Sequence, residues 1–108
     1  MRNKEQQKIY DILSNCNDMC YAGQWKEIIE LGNTLVNDPE STPTMLLIWI
    51  VNGKFTAYHG NLTEDYTKLL YAIDARLEKE LGRERTNKLT KFWIDEINEV
   101  NSKKSLEN

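Results

Sequence analysis

The residues able to carry acid–base, nucleophilic or metal chemistry are few in this chain and poorly grouped. His59 is the only histidine. A catalytic or zinc site built on it would need further ligands or a nucleophile at a matching spacing, and there is no His-x-x-x-His pair, no Cys-x-x-Cys pair and no glycine-rich phosphate loop. Cys16 and Cys20 are four residues apart, which puts them on one helical face but at an awkward separation for a disulfide. They read as small core thiols rather than a redox or metal pair. Glu64 and Asp65 form an adjacent carboxylate pair, yet they follow Gly60-Asn61 and so fall in a first helical turn, where acidic side chains meet the positive end of the helix dipole. His59 stands just before that glycine, where the C-terminal end of a helix favours a cation. The sequence therefore predicts a non-enzyme with no catalytic residue, no metal and no cofactor.

What remains is binding, and charge limits the partners. The 108 residues carry a formal net charge of -3, with 40% hydrophobic and 29% charged side chains. These are the proportions of a folded chain, and they supply no general attraction for nucleic acid or an anionic membrane. The longest apolar run, Met45–Val51, is far short of the roughly 20 residues that cross a bilayer, and the first residues lack the apolar stretch of a secretion signal. A cytoplasmic protein with no membrane contact is expected. Its length allows one domain, assigned to 1–104, with a polar tail at 105–108.

The elements that must present a binding surface are legible as apolar periodicity. Ile9, Ile12, Leu13, Cys16, Met19 and Cys20 recur at three and four within 4–21, predicting a first helix that Gly23 ends. Trp25, Ile28, Ile29, Leu31, Leu35 and Val36 restart the pattern in a second helix, stopped by Asn37-Asp38-Pro39 and antiparallel to the first across a short connection. Thr42 with Pro43 is a helix start, a cap followed by the position where a missing N–H costs nothing.

Two readings stay open beyond it. Met45–Val51 is apolar on every side and rich in β-branched residues, and Asn52-Gly53 is a strong hairpin signal, so a central β-hairpin over 46–58 competes with a third, sandwiched helix. The helix is preferred because its neighbours are helical and a lone hairpin would have to bury both faces. Asn61 with Glu64 has the spacing of a capping box for a fourth helix, whose stripe Leu62, Tyr66, Leu69, Leu70, Ile73, Leu77 and Leu81 runs in phase to Gly82. Leu89, Phe92, Trp93, Ile97 and Val100 give a fifth, after which the polar residues 101–108 are expected to fray. The fold class is all-α.

The two halves also echo each other. Gly23-Gln24-Trp25 and Gly60-Asn61-Leu62 stand in equivalent places, 37 residues apart (23 to 60), near the roughly 34-residue period of tetratricopeptide repeats. Trp49, Gly53, Ala57, Gly60, Leu69 and Ala72 follow that pattern in the second half, and Gly23, Trp25, Leu35 and Pro39 keep part of it in the first. Over about Ile9–Val100 the chain thus resembles two degenerate tetratricopeptide repeats, stacked antiparallel helical hairpins, plus a C-terminal cap helix. Asn52, Thr56 and Asp65 depart from the family's apolar or small side chains. The resemblance implies a scaffold that holds a protein or peptide in a groove lined by Tyr10, Leu13, Asn17 and Tyr21 of the first helix and Ile50, Lys54 and Tyr58 of the third. Of the side chains that clamp a C-terminal carboxylate in some members, only Asn17 has a counterpart, so that mode is not expected.

The function expected is a small adaptor, regulator or inhibitor of a larger partner, with self-association as a further form because two repeats bury little core. The alternative is a nucleic-acid-binding regulator using Arg76, Lys79, Arg83, Arg85, Lys88 and Lys91 around the fourth and fifth helices. Glu78, Glu80 and Glu84 interleave with these cations, which favours a solvated surface of local ion pairs.

Overall fold

The computed structural model describes residues 3–107, with side chains through Lys103, and every regular element in that span is an α-helix. The order is α1 (Lys4–Tyr21), α2 (Trp25–Asn37), α3 (Pro43–Gly60), α4 (Thr63–Leu81) and α5 (Arg83–Glu107). The β-hairpin alternative at 46–58 is not realised. Gly53, which suggested a turn, is instead a point of close approach between helices: a Cβ there would stand 3.0 Å from the ring of Tyr66. The backbone stays helical to Glu107, through most of the segment where fraying was expected, and Asn108 lies outside the described residues.

Local chemistry sets the boundaries. Asn3 and Gln6 close a capping box on α1, the Asn3 side chain accepting from the Gln6 N–H at 2.8 Å and the Asn3 N–H donating to Gln6 Oε1 at 3.1 Å. Thr42 caps α3 with Pro43 in its first turn, as the sequence predicts. Asn61 does not cap α4. It ends α3 in the left-handed conformation (φ 56°), the Leu62 N–H returning to the Ala57 carbonyl at 2.9 Å. Asparagine tolerates that conformation well, so it served the end of one helix rather than the start of the next. Gly82 (φ 85°) makes the turn into α5.

Helix α2 packs against α3 and α4, α3 against α4, α4 against α5, and α1 against α2. The Cα envelope is 51 × 38 × 19 Å, two helices thick at an interaxial spacing of roughly 10 Å. α1 and α3 line a common groove and α3 and α5 are bridged by side chains, so the odd-numbered helices lie side by side, with α2 and α4 together on the other side. The core between the layers is Ile28, Ile29, Leu46, Trp49, Ile50, Ala57, Tyr66, Leu69, Leu70, Ile73, Leu77 and Ile97. α1 contributes one buried apolar side chain, Cys16, and is the least anchored of the five.

Two polar networks fix the even helices. The Arg76 guanidinium spends all five of its N–H donors: Nε on Glu80 at 2.7 Å, Nη1 on the carbonyls of Val36 and Asp38 at 2.8 and 2.9 Å, and Nη2 on those of Pro39 and Ser41 at 3.3 and 2.9 Å. It thereby satisfies carbonyls that the end of α2 and the following loop leave exposed. Around Gly82, Arg83 pairs with both oxygens of buried Asp74 at 3.2 and 3.0 Å and with Glu78, while Thr90 donates to Asp74 at 2.7 Å. These bonds tie α4 to the first turns of α5.

Candidate partner-binding surface

The sequence of each odd helix leaves large apolar side chains outside the buried core. Among the described residues nine large apolar side chains are exposed, and eight belong to α1, α3 and α5: Tyr10, Leu13, Tyr21, Val51, Phe55, Tyr58, Leu89 and Phe92. α2 has none and α4 only Tyr71. An amphipathic helix packed on one side should show polar residues on the other, and α3 does not. Its inner face (Met45, Leu46, Trp49, Ile50, Gly53, Ala57) is buried, and Val51, Phe55 and Tyr58 form a second stripe at i, i+4 and i+7 that water reaches, Val51 and Phe55 each 52% exposed.

This stripe runs between a groove shared with α1 and a side-chain cluster shared with α5. On the α1 side, Leu13, Cys16, Asn17, Cys20, Asn52 and Phe55 line a groove of about 220 Å³. At one end of it the His59 ring stacks on Phe55 (centroids 4.1 Å apart), with Trp25 edge-on to Phe55 at 6.4 Å. On the α5 side, Lys54 forms an ion pair with Glu96 and lies over the rings of Trp93 and Tyr58 at 5.2 and 5.7 Å. Tyr58 donates to the same carboxylate at 3.3 Å. Burial first, and then the Glu96 charge, push the Tyr58 phenol above its ordinary range. Phe92, edge-on to Trp93 at 5.2 Å and 68% exposed, carries the apolar surface onto α5.

Of the residues expected to line a groove, Tyr10, Leu13, Asn17 and Tyr21 are exposed along one face of α1, Tyr21 at 87%. Lys54 and Tyr58 lie on the surface but are turned toward α5. Ile50 is a correction: it is fully buried, with its carbonyl accepting from the Tyr66 hydroxyl at 3.0 Å, because the α3 phase that exposes Val51 turns Ile50 into the core. Val51, Phe55, Leu89 and Phe92 were missed. The i, i+4, i+7 spacing of Val51, Phe55 and Tyr58 was the available signal; on a helix apolar all round, periodicity cannot say which apolar face is left over.

The cations of α4 and α5 pair with the interleaved carboxylates, as the sequence favours: Arg76 with Glu80, Arg83 with Glu78 and Lys88 with Glu84. Arg76 is consumed by backbone carbonyls and Arg83 by Asp74 and Glu78. Arg83 is held above its ordinary value by the Glu78 and Asp74 carboxylates, and Glu78 below its own by Arg83. Lys88 stands 3.9 Å from Glu84, and Lys79, Arg85 and Lys91 are exposed on different turns. Among the described residues no group of three or more His, Cys, Asp or Glu side chains is placed to hold a metal, and no helix is long and apolar enough to cross a membrane. Comparison with protein-family models, with curated proteins and with solved structures finds no match to this chain.

Proposed function

We propose that this chain is a non-catalytic binding module, an adaptor, regulator or inhibitor that engages a protein or peptide through the outer face of α1, α3 and α5. The observation that carries the reading is the asymmetry between the layers: eight of the nine exposed large apolar side chains stand on one of them. Exposed aromatic and aliphatic side chains gathered on one face cost solubility and are the usual material of interface anchors. In this reading α1–α2 and α3–α4 are two repeat-like hairpins and α5 is their cap, in the manner of tetratricopeptide scaffolds. What supports it is the contact of α2 with both α3 and α4 and the two-helix thickness.

The nucleic-acid reading is disfavoured by the use of Arg76 and Arg83 inside the fold, which leaves too few clustered cations for a phosphate track. The test is affinity capture on the immobilised chain, followed by titration of each captured protein against wild type, Tyr21→Ala and Phe55→Ala at low and high salt. Weaker binding by the variants with little salt dependence supports the reading. Binding that collapses with salt, and on charge reversal at Arg85 and Lys88, would transfer the function to the basic side chains.

A further inference from the structure

We infer that the occupant of the α1–α3–α5 face is a second copy of this chain, docked as a two-fold dimer with α3 lying on α3. The inference rests on reading that face as a binding surface and adds the identity of the partner. With an aromatic side chain amounting to roughly 200 Å², the eight exposed apolar side chains offer on the order of 800 Å². That is about what each partner contributes to a standard-sized interface.

Each copy carries a formal net charge of -3, so two copies approach readily only through surface that is itself neutral. α3 has a single formally charged side chain, Lys54, and Glu96 of the same molecule neutralises it. The acidic excess is elsewhere: α2 sets one lysine against two glutamates, and α4 sets three basic side chains against five acidic ones. Pairing through the odd helices turns both acidic layers outward, with a 19 Å slab of each protomer keeping them apart.

A two-fold interface places the same residues on both sides, so a group near the axis meets its own counterpart. Val51, at the middle of α3, and Phe55, at the middle of its exposed stripe, are the residues that such an axis would pass nearest. The Val51 side chain is half outside the core, which allows charge to be introduced there without disturbing the fold.

The experiment is sedimentation equilibrium on wild type, Val51→Asp, Val51→Lys and an equimolar mixture of the two variants, with circular dichroism confirming equal helix content. Wild type should sediment at twice 12.7 kDa in the micromolar range, each variant alone at the single mass, and the mixture at the double mass again as aspartate meets lysine across the axis. A wild type that stays at the single mass overturns the inference. So do variants that still dimerise, which would put the dimer on another face, and a mixture that fails to recover. If wild type is monomeric while Phe55→Ala loses a captured partner, the binding reading stands and only the second copy falls; if neither is seen, both fall.

Discussion

The indole of Trp49 in α3 lies against the backbone of Gly32 in α2: a Cβ at position 32 would stand 2.0 Å from Trp49 Nε1, 2.2 Å from its Cδ1 and 2.7 Å from Leu69 Cδ2. Trp49 is fully buried at the junction of α2, α3 and α4, and the missing side chain at Gly32 is what lets the largest core residue sit there.

Gly32→Ala should therefore destabilise the protein although alanine is the better helix former. The helical preference returns about 1 kcal/mol, whereas a 2.0 Å contact with a packed indole puts the overpacking cost at the upper end of its range, about 3 kcal/mol, so a net loss of about 2 kcal/mol is expected. Gly23→Ala is the comparison: φ is +71° there but no atom lies within 4 Å of a Cβ, so only the backbone cost of about 1 kcal/mol applies. Urea denaturation of the two variants should rank Gly32→Ala as the more damaging, and equal midpoints would contradict the packing described.

Arg76→Ala should cost about 2–3 kcal/mol, because it strips a charged donor set from four carbonyls around the end of α2. Arg76→Lys should recover only part, since an ammonium cannot reproduce the planar fork. Arg85→Ala, drawn from the same stretch of basic sequence but exposed, should stay within about 0.5 kcal/mol of wild type. Thermal melts of the three variants separate a structural arginine from a surface one.

The contrast between Arg76 and Arg85 shows where the sequence stops being informative. Helix positions were readable because each apolar stripe is a local signal: Leu69, Ile73 and Leu77 are in phase and all buried. Arg76 and the Val36 carbonyl are 40 residues apart, and no local pattern announces that meeting. The interleaved Glu78 and Glu80 announce local ion pairs with Arg83 and Arg76, but not the backbone carbonyls that take the rest of the Arg76 guanidinium. On α3 the difficulty was different: Ile50 and Val51 are adjacent β-branched residues with opposite fates, fully buried and 52% exposed, and only the tertiary phase of the helix distinguishes them. Asn61 was misread because its side chain suits a helix start as well as the left-handed end that it forms.

The thiols make a pH prediction. Desolvation first, and then the neighbouring Cys20, push the Cys16 thiol up from 9.0 to about 11. The folded state thus holds that proton more tightly than the unfolded chain. Its contribution to stability is fully present below about pH 9 and is lost as the pH rises through about 11. Native Cys16 should alkylate far more slowly at pH 8 than the same thiol in urea, and Cys16→Ala should flatten the alkaline decline in melting temperature between pH 9 and 11. On the acid side the sign reverses for Glu78, whose pKa is lowered by Arg83: its contribution is present above the ordinary carboxylate range and fades as the pH falls through the lowered value. Glu78→Gln should soften the acid limb and leave the alkaline one unchanged.

On the proposed binding face, position along α3 decides between two kinds of loss. Phe55→Ala and Tyr21→Ala remove exposed rings, so each should weaken partner binding by about 1–3 kcal/mol, the range for an aromatic anchor, with melting temperatures near wild type. Ile50→Ala removes a fully buried side chain and should cost about 2–5 kcal/mol of folding stability, affecting binding only through the unfolded fraction. Lys54→Glu would set a second carboxylate beside Glu96 and take the cation from over Trp93 and Tyr58. It should loosen the contact of α3 with α5 as well as the surface built on it, and Glu96→Lys in the same chain should restore part of both. Calorimetric titration alongside thermal melts distinguishes these cases. If Ile50→Ala abolished binding at full folded stability, or Phe55→Ala melted the fold while the folded fraction bound normally, the exposed stripe of α3 would not be the contact surface.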